Sequence, residues 1–129
     1  MTALPEENIP ITTRFVVSTA LATRDFQDVH HDKDAALARG SQDIFLNILT
    51  TTGLVQRYVS GWAGPQARIA AVDIRLGVPC YPGETLVLSG EAPAADEPEF
   101  EVRVRGRVSL GDHVTGTVRV RRLDGGEHR

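Results

Sequence analysis

The stretch NILTTTGLVQRYVSGWAGP, residues 47–65, decides the fold. Ile48, Thr52, Val55, Val59 and Trp62 recur at helical spacing, and Leu49, Leu54 and Tyr58 widen the apolar surface. A helix apolar on most sides has to be surrounded by other elements. Asn47 is a good N-cap, because a short side-chain oxygen can take an N–H of the first turn; Ser41 is a competing start. Gly61 and Gly64-Pro65 end the helix.

Working outward, the period falls to two on the C-terminal side. Val72, Ile74, Leu76 and Val78 alternate with Asp73, Arg75 and Gly77. Tyr81–Glu84 is a turn, Leu86–Gly90 a second strand, and Ala94–Pro98 another turn. Phe100, Val102 and Val104 then alternate with Glu101, Arg103 and Arg105, and Gly111-Asp112 turns the chain into Val114–Val120. These are antiparallel strands with one buried face. On the N-terminal side, Arg14–Ser18 reads as a short β-branched strand, with Ser18 and Thr19 capping a short helix through Thr23. Asp34–Gly40 reads as another short helix stopped by glycine. Residues 1–12 are expected to be a loosely held, flexible arm and 123–129 a tail. One long apolar helix and a meander of strands have an economical solution, a sheet curled around the helix. The expectation is a single α+β domain of the hotdog type over residues 1–129, with another α+β sandwich as the alternative.

Composition narrows the function. The 129 residues suffice for one core without staples. A net charge of -3 gives no reason to expect nucleic acid or an anionic membrane as partner. No apolar run approaches the roughly 20 residues that span a bilayer, and the acidic, proline-bearing N-terminus does not resemble a signal peptide. The single cysteine, Cys80, allows no internal disulfide and suits a reducing cytoplasm.

Chemistry is concentrated in Asp25-Phe-Gln-Asp-Val-His30. Five steps apart, a carboxylate and an imidazole diverge by roughly 140° on a helix and face opposite ways on a strand. They converge only if the chain bends, and Gln27-Asp28 is polar enough for a bend. If the central helix begins near Asn47, its first N–H groups are free at the positive end of the helix dipole and can hold an oxyanion without a basic side chain. His31, Asp28 and Asp32 read as solvating or positioning groups, and Thr50–Thr52 as helix filler. His113 and His128 are expected far from the pair, on a strand and in the tail, so no metal site is expected. Arg103, Arg105, Arg107, Arg119 and Arg121 read as a solvated face paired with Glu99 and Glu101, or more sharply as contacts for the phosphates of a ligand.

The segment STALATRDFQDVHHDKDAALARGSQDIFLNILTTTGLVQRYVSGWAGP resembles the MaoC-like hydratase family, and LGDHVTGTV resembles it again. The family signature is Asp-x-Asn-Pro-x-His followed by His-Gly at the central helix. The resemblance puts the catalytic carboxylate on Asp25, the catalytic imidazole on His30 and the oxyanion-binding backbone N–H on Ile48, with Asn47, Gln27 and Asp28 in support. Gln27-Asp28 stands where the family has Asn-Pro, and Asn47-Ile48 where it has His-Gly. Within the family the segment is most like small subunits of bacterial cholesterol side-chain degradation. That implies water addition to a 2-enoyl thioester of a steroid side chain, carried on coenzyme A with no further cofactor. It also implies a larger MaoC-like partner with an OB-fold extension in an α2β2 assembly, through which a downstream aldolase is a possible further partner. The alternatives are a (3R)-hydroxyacyl-ACP or -CoA dehydratase working on straight chains, and a non-catalytic hotdog scaffold. A hotdog thioesterase would place its carboxylate on the central helix, where only Asp43 lies near the start.

Overall fold

A computed structural model describes residues 1–94 and 97–123. The tail beyond Leu123, with His128, and the tip of the 94–98 turn lie outside the described residues.

Helix α3, Ile48–Ala63, is the axis of the molecule. Asn47 caps it with its side-chain oxygen on Thr50 N, and Gly64 ends it at a φ of 88° that favours glycine. Thr51, Leu54, Val55, Tyr58 and Val59 are buried at i, i+3, i+4, i+7 and i+8, the expected stripe of a core-facing helix. Complete burial of Leu54, Val55, Tyr58 and Val59 contributes about 1.5–3 kcal/mol each before entropy is counted. The helix is not surrounded throughout, however. Ile48 and Leu49 in its first turn are 52% and 53% exposed.

Four long strands wrap the buried stripe: β3 (Ala67–Leu76), β4 (Thr85–Ala92), β5 (Glu99–Val108) and β6 (Gly111–Arg122). Two short N-terminal strands, β1 (Thr2–Ala3) and β2 (Glu7–Pro10), both pair with β4. All pairs are antiparallel, in the order β1-β4-β5-β6-β3. Inward-facing Val102, Val118 and Val120 share the core with the buried residues of α3, and Trp62 packs edge-on against Phe100 at 6.2 Å. Among the described residues, strand β3 ends the sheet with one edge unpaired. This is the curled α+β hotdog arrangement. No helix among the described residues is long and apolar enough to cross a membrane.

Two expectations are corrected. The N-terminal arm is not loosely held: Leu4, Ile9 and Ile11 are buried, and Tyr58 Oη donates to Pro5 O at 2.7 Å. Its prolines hide the strand signal, yet they are tolerated because this is the sheet's margin. The segment Arg14–Ser18 is helical, not extended, within α1 (Thr13–Ala22). Thr12 caps α1 by accepting from Phe15 N at 3.0 Å, and Val16 and Ala20, one turn apart, are completely buried. Burial at helical spacing overrides the strand preference of Val16-Val17.

Candidate active site

The pair converges because α1 ends in a tight reversal. Arg24 takes a left-handed φ of 57°. Asp25 N donates to Ala20 O at 2.8 Å and Arg24 N to Leu21 O at 3.0 Å, a Schellman closure with arginine where glycine is commoner. His31 Nε2 donates to Asp25 O at 2.6 Å and pins the start of the following loop. A single 3₁₀ turn, Asp28–His30, then swings His30 inward. Asp25 Oδ2 and His30 Nε2 end 3.4 Å apart, close enough to share one water.

The imidazole is oriented. His30 is 5% exposed, and its Nδ1 lies 2.7 Å from Phe45 O. A carbonyl only accepts, so Nδ1 carries a proton and donates it. In the neutral ring Nε2 therefore offers its lone pair on the side of Asp25. Phe45 also packs edge-on against the ring at 4.9 Å.

Asn47 ties the pair to the helix. Its Oδ1 accepts from Thr50 N at 3.0 Å, while Nδ2 donates to Asp25 Oδ2 at 3.1 Å and to Thr23 Oγ1 at 2.8 Å. An N–H on one side and a carboxylate on the other fix which way the amide faces. Burial pulls the Asp25 pKa up. The hydrogen bonds from Asn47 and Gln27 N, with the charges of His30 and His31, outweigh burial and hold the carboxyl below its ordinary range.

A cavity of about 310 Å³ opens beside this cluster. His30, Phe45, Asn47 and Ile48 form one side, and Leu76, Gly77, Val78, Pro79 and His113 the other. Asp25 is not part of the lining and reaches the site through His30 Nε2. Ile48 is the first helical residue, and within the helix no carbonyl is available to its N–H. Imidazole and helix start thus meet at one cavity, with the carboxylate behind the imidazole.

Gln27 and Asp28, both expected in support, make different contacts. Gln27 lends its backbone N–H to Asp25 Oδ1 at 3.2 Å. Asp28 turns its carboxylate outward, 3.8 Å from Arg39, and touches neither Asp25 nor His30; only its carbonyl holds the turn. Asp32 caps helix α2, Lys33–Ala38. His113 is not remote, contrary to expectation. The strong curl of β6 brings it onto the same cavity as His30, and Thr51 is its hydrogen-bond partner at 2.8 Å rather than filler. Sequence reasoning missed both because the contact spans 62 residues. A larger recess of about 610 Å³ lies away from this cluster, over Ala3, Ser89, Arg103 and Arg105. The arginines of the expected stripe are paired: Arg103 with Glu91, Arg105 with Asp112, Arg107 with Glu6, Arg119 with Glu101 and Arg121 with Glu99.

Fold and site together define a hotdog protein with a carboxylate–imidazole pair at the amino end of its central helix. No protein-family profile matches the sequence. The chain is 58% identical over 121 residues to the 3-oxo-4,17-pregnadiene-20-carboxyl-CoA hydratase beta subunit of Mycobacterium tuberculosis, covering 94% of each. A chain of the ChsH1-ChsH2 complex from the same organism superposes with a TM-score of 0.90 at 57% identity, over 94% of this chain and 95% of that one. An (R)-hydratase from A. caviae involved in PHA biosynthesis shares the fold at 18% identity and a TM-score of 0.78, over 93% of each chain. The chain belongs to the family of that hydratase beta subunit.

Proposed function

We propose that this chain is the catalytic small subunit of a heteromeric enoyl-CoA hydratase that adds water to the 2-enoyl thioester of a steroid side chain. The observation that carries the reading is the approach of Asp25 Oδ2 to His30 Nε2 at the cavity where α3 begins. The steroid portion rests on the name of the relative.

Asp25 and His30 hold the water. One proton passes to His30 Nε2, and the water oxygen bonds to the β-carbon. The π electrons shift through the α-carbon to the thioester oxygen, which the Ile48 N–H receives. A donor so placed contributes about 3 kcal/mol to the transition state. The enolate then collapses by taking the proton from His30 onto the α-carbon. Atoms balance without a resident cofactor, because conjugation with the thioester already makes the β-carbon electrophilic.

A larger hotdog subunit with an OB-fold extension is the proposed partner, in an α2β2 assembly that an aldolase joins through the larger subunit. Strand β3 offers an edge that no described strand pairs with, carrying half-buried Ile69, Val72 and Ile74, a surface that another sheet can extend. A coenzyme A substrate implies the cytoplasm.

The test is hydration of steroid and straight-chain enoyl-CoA esters by the complex co-purified with its neighbouring-gene product. Asp25→Asn and His30→Ala are each expected to lower turnover at least about a hundredfold while circular dichroism and complex assembly stay unchanged. Near-normal turnover in either variant rules out the site.

A further inference from the structure

His113 is almost completely buried, and both its ring nitrogens are engaged. Nδ1 donates to Val78 O at 2.8 Å, so Nε2 is the acceptor for the Thr51 hydroxyl, also at 2.8 Å. Val78 lies in the wall of the cavity, whereas Thr51 lies in α3, one turn beyond Ile48. Backbone bonds add to the link. Gly77 N donates to His113 O at 2.8 Å, and Val78 N to Asp112 O at 2.9 Å. The wall is pressed so close to β6 that a Cβ at Gly77 would sit 2.2 Å from Asp112 O.

One unbroken chain of hydrogen bonds therefore runs from the wall through the imidazole to the helix. The His113 ring lines the cavity but has no nitrogen left for a ligand. We propose that the Thr51–His113 hydrogen bond is a positioning pin that sets the width of the acyl cavity between Val78 and the start of α3, and thereby the size of acyl group accepted. The pin rests on the reading of this cavity as the acyl site. Burial lowers the His113 pKa, with the Val78 bond opposing it, which keeps Nε2 free to accept.

Thr51→Val preserves volume and removes the hydroxyl, while Thr51→Ser restores it. His113→Asn keeps a donor toward Val78 but is too short to reach Thr51, and it tests the same link should Thr51→Val not accumulate. Binding of saturated acyl-CoA esters, one short and linear and one bulky and cyclic, is measured calorimetrically on the assembled complex, so no turnover is needed. We expect Thr51→Val or His113→Asn to change the affinity ratio of the two esters about fivefold or more, the scale on which a pocket discriminates by size. Thr51→Ser should return the ratio to that of the unmodified complex. A lowered unfolding midpoint in Thr51→Val with an unchanged ratio makes the link merely structural and overturns the pin. Hydration surviving in Asp25→Asn bears on the proposed reaction alone, since the affinity ratio reads the pin separately.

Discussion

The side-chain amide of Asn47 donates to Asp25 Oδ2 at 3.1 Å, and the same side chain caps α3 through Thr50 N. One residue thus places the carboxylate and the helix start in a fixed relation, although 22 positions separate it from Asp25. A carboxylate held this way keeps its charge and points one oxygen at the imidazole.

Asn47→Asp separates the two roles. Its carboxylate can still cap the helix, but it is buried against Asp25 and gives up the donor to Asp25 and Thr23, so the urea midpoint should fall. Facing Asp25, it substitutes like-charge repulsion for a donor, which raises the Asp25 pKa. Turnover should fall by about a factor of ten or more at neutral pH. Unchanged turnover together with an unchanged urea midpoint would show that the amide donor does not matter.

Acid should weaken the fold in two stages. His113 is held below its ordinary 6.5 by burial, so the unfolded chain takes up its proton first. Stability is therefore lost as pH falls below 6.5 toward the lower folded value. Asp25 and Glu84 are held below their ordinary 3.8 and 4.5. For Glu84 the leading cause is the Ser109 hydroxyl, then Ser109 N. Their contribution is present above those ordinary values and disappears as pH falls through the lower folded ones. Urea midpoints from pH 7 to 3 should show both losses, and His113→Phe should flatten the first. A curve level between pH 6.5 and 5 would contradict the buried neutral imidazole.

Cys80 should be inert in the native protein. Burial first and Glu84 second push its thiol up to about 12, which leaves almost no thiolate at neutral pH. Iodoacetamide is expected to label it only after denaturation, as mass spectrometry would reveal; rapid native labelling would mean the thiol is accessible.

Gly116→Ala should be markedly destabilising. Gly116 pairs with Ile74, and a Cβ there would lie 2.2 Å from Asp73 O, where only backbone can yield. Overpacking of this kind costs about 1–3 kcal/mol, readable as a lowered urea midpoint at constant m-value. A midpoint equal to that of the unmodified chain would mean β3 shifts freely against β6.

What the amino-acid order decided alone was whatever depends on near neighbours. Asn47 as cap, Gly64 as stop and the stripe through Val55 and Val59 are set within a few turns of chain, and the alternation in Phe100–Arg105 is set within one strand. The tertiary structure decided whatever depends on distant partners. Val16 and Ala20 become helical because the core buries them, and the arm becomes strand because β4 is there to pair with it. Asp25 meets His30 because Arg24 accepts a left-handed turn and Phe45 O waits for Nδ1. His113 joins the cavity only when the sheet curls. Periodicity and caps act over a few residues and are visible in any window. A hydrogen bond across 15 or 62 positions gives no local signal, because its energy exists only after the chain has closed.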